Sequence, residues 1–157
     1  MVKRKNKLVV EPFDDLKIIG ISTGMMDFQL AWYLNKNLKI DLAKYKSLTY
    51  NNEDFFSFYL YEAGENSNTF NLIGLAYEGK ELVSFKPKTD FLFIVRNYIK
   101  DVDMQSMITK IRSIPKVIHA YVIDLDHNKK IRALLEDIEF HEMNVIDEIN
   151  KSLRIYK

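Results

Sequence analysis

The sequence predicts an α+β domain: a mainly antiparallel sheet of about five to six strands with two to three helices. Three observations predict it. Runs rich in β-branched and aromatic residues follow one another across turn-forming segments between residues 55 and 95, as strands in hairpins do. Three other stretches repeat their apolar residues with helical period. The strands come mostly as one consecutive run, so the elements do not alternate as in a parallel α/β fold.

Taken in order, Leu16-Lys17-Ile18-Ile19-Gly20-Ile21 reads as a strand that Ser22-Thr23-Gly24 ends. A helix follows, with Met26, Leu30, Tyr33, Leu34 and Leu38 on one face and Lys36-Asn37 as its end. Residues 40 to 54 are mixed and polar, and Asn51-Asn52 marks a loop. Aromatic density makes Phe55 to Tyr61 a strand. A second strand from Phe70 to Tyr77 follows the turn-forming Gly64, Asn66, Ser67 and Asn68. Glu78-Gly79 then closes a tight hairpin into a fourth strand, Glu81 to Phe85. After Lys86-Pro87-Lys88, Phe91 to Val95 is apolar on both faces, as a central covered strand would be.

Asp101 is the expected N-cap of a helix carrying Met104, Met107, Ile108 and Ile111, which Pro115 stops. Val117 to Ile123 is the last strand. The final segment, 127–157, has helical period at Ile131, Leu134, Leu135, Ile138, Val145, Ile146, Ile149 and Leu153, interrupted by Phe140-His141-Glu142. One long helix and two short ones both satisfy it. Without two of the four hairpin strands and the last helix the order is βαββαβ, so an elaborated ferredoxin-like arrangement fits among other topologies. No repeat or linker divides the chain, which reads as a basic disordered tail over 1–7 and a single domain over 8–157.

A chain of 157 residues with 47% hydrophobic and 29% charged residues can bury its own core and does not need staples. Four basic residues, Lys3, Arg4, Lys5 and Lys7, precede a body that is slightly acidic, since the whole chain carries only +1. No strong pull toward nucleic acid follows. The absence of cysteine excludes disulfides, thiol catalysis and cysteine-held zinc or iron–sulfur sites. Leu8-Val9-Val10 is too short for the core of a signal peptide, and no apolar run could span a bilayer, so the expected location is cytoplasmic.

Gly20-Ile21-Ser22-Thr23-Gly24 satisfies G-x-S-x-G between a strand and a helix, the context of a nucleophile elbow. An α/β-hydrolase, however, needs a large parallel sheet, and only His119, His127 and His141 could act as base. The same turn could offer backbone N–H groups to an anion at a helix N-terminus. A Walker A loop is excluded, because Met25-Met26 follow Gly24. Asp124-Leu125-Asp126-His127-Asn128 begins like a calcium loop, but Lys129 and Leu135 stand where glycine and glutamate are required; a strand end leading into a helix cap explains it better. The histidines lack the spacing of metal ligands, and the pairs Asp14-Asp15 and Asp101/Asp103 sit at element boundaries, where capping is the commoner role. Phe55, Phe58, Tyr59, Tyr61, Tyr77, Phe91 and Phe93 could form a base-stacking platform, but no RNP1 pattern or basic field accompanies them.

Ile19-Gly20-Ile21-Ser22, Asp27-Phe28-Gln29-Leu30-Ala31-Trp32-Tyr33-Leu34-Asn35 and the segment Leu38 to Leu42 resemble the bacterial IPExxxVDY family, over about residues 15 to 125. The naming motif falls on Val83-Ser84-Phe85 and Thr89-Asp90-Phe91, where Ser84 and Phe85 replace its proline and glutamate. The resemblance implies a bacterial source and no particular activity. Asp90 is expected to bond backbone amides at a turn, and Trp32 to sit at the edge of the buried face or be available to a partner.

The first expectation is therefore a non-catalytic protein-interaction or self-association domain, a homodimer in its simplest form. It would use Trp32 and the stripe Ile131, Leu135, Ile138, Val145 and Ile149, so that a chain without residues 140 to 157 would stay a folded monomer. The alternative is a small-molecule-binding regulatory domain with Ser22, Thr23 and Gly24 as contacts. A serine esterase with Ser22 as nucleophile comes third. Neither a metal nor a cofactor is expected, and neither nucleic acid nor membrane is an expected partner.

Overall fold

The computed structural model describes residues 15–64, 67–97, 99–126 and 128–155, with side chains as far as Leu153. The basic tail, Asp14, Asn66 and His127 lie outside the described residues. The elements are β1 (Lys17–Thr23), α1 (Asp27–Leu38), β2 (Ala43–Tyr50), β3 (Asp54–Glu62), β4 (Thr69–Gly74), β5 (Ala76–Tyr77), β6 (Lys80–Glu81), β7 (Phe91–Arg96), α2 (Asp101–Arg112), β8 (Val117–Val122) and α3 (Lys129–Ile155).

Six strands form one antiparallel sheet in the order β2-β3-β4-β7-β1-β8, and β5 with β6 makes a separate two-stranded ribbon. Within the sheet, β8-β1-β7-β4 with α1 and α2 on one face is the ferredoxin-like order. Strands β2 and β3 extend it on one side, and α3 covers the face that a bare ferredoxin-like sheet leaves open.

Strand alternation sorts the core into two layers. Ile19, Ile21, Leu72, Phe93 and Val95 pack under Leu30, Ala31 and Leu34 of α1 and Met104, Ile108 and Ile111 of α2. On the other face Ile18, Phe58, Ile73, Leu92 and Ile94 pack under Ile131, Leu134, Leu135, Ile138 and Val145 of α3. Strand β7 is apolar on both faces because both are covered: Phe91 to Val95 are all buried, and β4 and β1 flank it.

Several elements differ from the sequence reading. Residues 43–50 form a strand whose alternation slips: Tyr45 faces Phe58 while Leu48 faces Phe56, so three steps on β2 match two on β3. This bulge hides the strand from a period-two search. The fourth hairpin strand shrinks to Lys80–Glu81, because β4 already has β3 and β7 on its two edges. Leu82, Val83 and Phe85 pack as a loop onto the α3-side core instead. The Glu78-Gly79 turn is as expected, with both residues at positive φ (46° and 80°) and Tyr77 paired with Lys80. The N-cap of α2 is Lys100, and Asp101 and Asp103 occupy the first turn, where they favour the positive end of the helix dipole.

The C-terminal segment is one helix of 27 residues. Of its interruption, Phe140 is exposed, while His141 and Glu142 turn toward the sheet. His141 Nε2 lies 2.7 Å from the Lys46 carbonyl at the β2 bulge, and its ring meets Phe58 edge-on. Glu142 occupies a stripe position and accepts from Arg96 Nη2 at 2.7 Å and Asn71 Nδ2 at 2.8 Å. The interaction stripe proposed from sequence is thus spent on the chain's own sheet: Ile131, Leu135, Ile138 and Val145 are buried, and Ile149 packs at the margin of the same cluster. Glu142 and Val145, both buried, lie beyond residue 139, so ending the chain there would uncover part of this face.

Candidate functional site

The ends of β1, β4 and β7 meet the start of α1 at a cleft of about 610 Å³. That size lies within the usual range of small-molecule sites. Thr23, Gly24, Met25 and Met26 form one wall; Phe55, Ser57 and Tyr77 form another, with Asp27, Lys44, Glu78 and Asp90 among the polar lining.

A few local bonds hold this end of the sheet in place. Asp90 Oδ2 accepts the Thr23 N–H at 2.9 Å, and the Asp90 N–H donates to the Ile21 carbonyl. Asp90 therefore bonds backbone, as the sequence indicates, but at the end of β1, 67 residues away, and not within its own turn. Thr23 Oγ1 donates to the Lys116 carbonyl and accepts from the Met25 N–H, which carries the chain from strand to helix. Gly74 leaves room for Ser57, since a Cβ there would lie 2.5 Å from the Ser57 Oγ. Gly24 has an ordinary φ and open space around the position of a Cβ, so what it supplies is room and not a left-handed turn.

Within the cleft Asp27 pairs with Lys44 at 2.8 Å. Burial pushes its carboxyl up, but the hydrogen bonds from Lys44 Nζ (2.8 Å) and the Tyr59 hydroxyl (3.0 Å), the Lys44 charge and the Phe28 N–H together hold it below the usual carboxylate range. Burial, and then the Asp27 carboxylate, push the Tyr59 phenol well above its ordinary value. The carboxylate is ionised and the phenol protonated at neutral pH.

Of the three proposed contact residues, Thr23 and Gly24 line the cleft. Ser22 does not: it is buried inside β1, and alternation turns it toward the opposite face. It lies in extended strand opposite His119, not on a strand-to-helix turn, so the elbow geometry is not formed. His119 sits on the β8 edge and His141 docks at β2, the far edge of the sheet. Among the described residues no group of three or more His, Asp or Glu could hold a metal ion. In the calcium-like segment, Asp124 Oδ1 accepts the Asp126 N–H, a turn bond. Trp32 is exposed, with Lys36 Nζ over its ring and Tyr33 edge-on beside it.

The sequence reading misses Asp27, Lys44 and Ser57 as neighbours of Thr23. Lys44 lies on the strand hidden by the bulge, and Ser57 and Asp27 meet only when β3 and α1 pack on opposite sides of the cleft. Comparison with protein-family models, curated proteins and solved structures finds no match to this chain. The family resemblance rests on the quoted residues alone.

Proposed function

We propose that this chain is a non-catalytic binding domain whose cleft takes a small molecule with an apolar body and a positively charged end. The supporting observation is the lining of that one cleft. Phe55, Tyr77, Phe91 and the two methionines offer an apolar wall, while the carboxylates of Asp27, Glu78 and Asp90 outnumber the single Lys44 ammonium. An anionic ligand would face that excess of carboxylate, whereas an ammonium is attracted both to it and to the ring faces.

Thermal unfolding with phenethylamine and with phenylacetate tests this, because the two differ chiefly in the sign of the charged end. The melting temperature is expected to rise with the amine and not with the acid. Gly24→Phe, which fills open space at the cleft, is expected to keep the melting temperature and abolish the amine response. An equal response to both compounds, or a response that survives in Gly24→Phe, rejects the proposal.

A second reading, contact with a protein partner, is favoured by α1. Phe28 and Trp32, one turn apart, are 60% and 56% exposed. Trp32 is the only tryptophan, so its emission reports directly on whether this face becomes covered.

A further inference from the structure

The three carboxylates that line the cleft are not equivalent. Asp27 is committed within the chain: Lys44 Nζ and the Tyr59 hydroxyl both bond its Oδ2, at 2.8 and 3.0 Å, and the Lys44 ammonium balances its charge. Glu78 stands exposed on the turn between β5 and β6, where a long side chain loses rotamer freedom when it is held against a ligand. Asp90 is half-buried and makes no ion pair among the described residues. The unbalanced charge inside the cleft is therefore that of Asp90.

Three bonds of 2.9 Å each fix Asp90 in place. Its N–H donates to the Ile21 carbonyl, its own carbonyl accepts the Leu75 N–H just past the end of β4, and its Oδ2 accepts the Thr23 N–H. The carboxylate is thus held between β1 and β4 before any ligand arrives, and a preorganised group binds at lower entropic cost. An ionised carboxylate has about four acceptor positions, and the Thr23 N–H fills one of them. Oδ1 receives no donor from the described residues. Phe91 follows Asp90 directly and lines the same cleft with Phe55 and Tyr77, so the charge lies beside the apolar wall.

We infer that Asp90 seats the charged end of the ligand, and that this end is an amine carrying N–H groups, primary or secondary, and not a quaternary ammonium. The inference rests on the cleft reading given above and narrows its ligand class. Attraction to the carboxylate charge and to the ring faces is common to both kinds of cation. Only an N–H donor adds a charge-assisted hydrogen bond to the unfilled positions of the Asp90 carboxylate.

Isothermal titration of the full chain with phenethylamine and with its N,N,N-trimethyl derivative tests this. Wild type is expected to bind the primary amine about tenfold more tightly than the quaternary one, the factor that one charge-assisted hydrogen bond supplies. Asp90→Asn keeps an oxygen for the Thr23 N–H and removes the charge. With an unchanged circular dichroism spectrum, it is expected to bind the primary amine about tenfold or more weakly than wild type does. Glu78→Gln, and the double replacement Asp27→Asn/Lys44→Met, which leaves the net charge of the cleft as it is, are each expected to lose less than Asp90→Asn. Equal affinity of wild type for the two cations, full amine affinity in Asp90→Asn, or a larger loss in either of the other variants overturns this inference and leaves the cleft reading standing. The comparison of the two cations needs only wild type, so it decides the question even where Asp90→Asn does not fold. A wild type that binds no amine overturns the cleft reading and this inference together.

Discussion

Helices α1 and α2 cover their face of the sheet with a continuous apolar layer, whereas α3 covers the opposite face with an apolar stripe interrupted by buried polar groups. On the first face the polar side chains, Asp27, Lys44 and Tyr59, gather at the end of the layer, where the cleft opens. On the second, Asn71, Arg96 and Glu142 sit within the layer and hydrogen-bond one another. Two helices on a face can wedge each other into position, but a single long helix can slide along an apolar surface. A buried ion pair and amide tolerate only one register, so the α3 face gains a defined seat at some cost in stability.

The most severe test of this comparison is truncation. A chain ending at residue 139 loses Glu142 and Val145 and uncovers part of the sheet face around Phe58 and Leu60. It is expected to lose its cooperative thermal transition, followed by circular dichroism. A cooperative transition near the wild-type temperature would mean that the second half of α3 is dispensable.

Glu142→Ala is expected to cost about 2–3 kcal/mol in urea unfolding, because Arg96 and Asn71 are left without their shared acceptor. Replacing all three by apolar residues (Asn71→Leu, Arg96→Met, Glu142→Leu) is expected to recover most of that loss. If the triple variant is also no less specific in its helix seating, judged by amide exchange across α3, the register role assigned to the knot is wrong.

The smallest expected effect is at the cleft. Asp27→Asn removes the charge that holds Lys44 and Tyr59 and is expected to cost about 1 kcal/mol at neutral pH. Because the folded-state pKa of Asp27 is depressed, its contribution is complete above the unfolded carboxylate value of about 3.9 and fades as pH falls through the lower, folded-state value. Wild type and Asp27→Asn are therefore expected to converge in stability in acid. A gap that persists unchanged at pH 2–3 would assign the effect to packing instead of charge.

Particular elements show how far the sequence carries. The run Phe91 to Val95 announces a strand covered on both faces, because only a doubly buried strand tolerates apolar side chains at every position. The stripe Ile131 to Val145 announces a helix but not what it covers: the same spacing serves a subunit contact or the chain's own sheet, and nothing local separates the two. His141 and Glu142 look like a break in that helix, although they are its most specific contacts, since their partners Lys46, Asn71 and Arg96 lie 46 or more residues away.

What the sequence determined by itself is the α+β class, most element positions and the Glu78-Gly79 turn, all set by periodicity and local turn chemistry. What only the tertiary structure decided is the meeting of distant segments. It buries the α3 stripe within the chain, seats Ser22 away from Thr23 and Gly24, and brings Asp27, Lys44 and Ser57 to one cleft. The reason is physical: a local pattern specifies which face of an element is apolar, but which surface that face meets depends on the packing of the whole sheet.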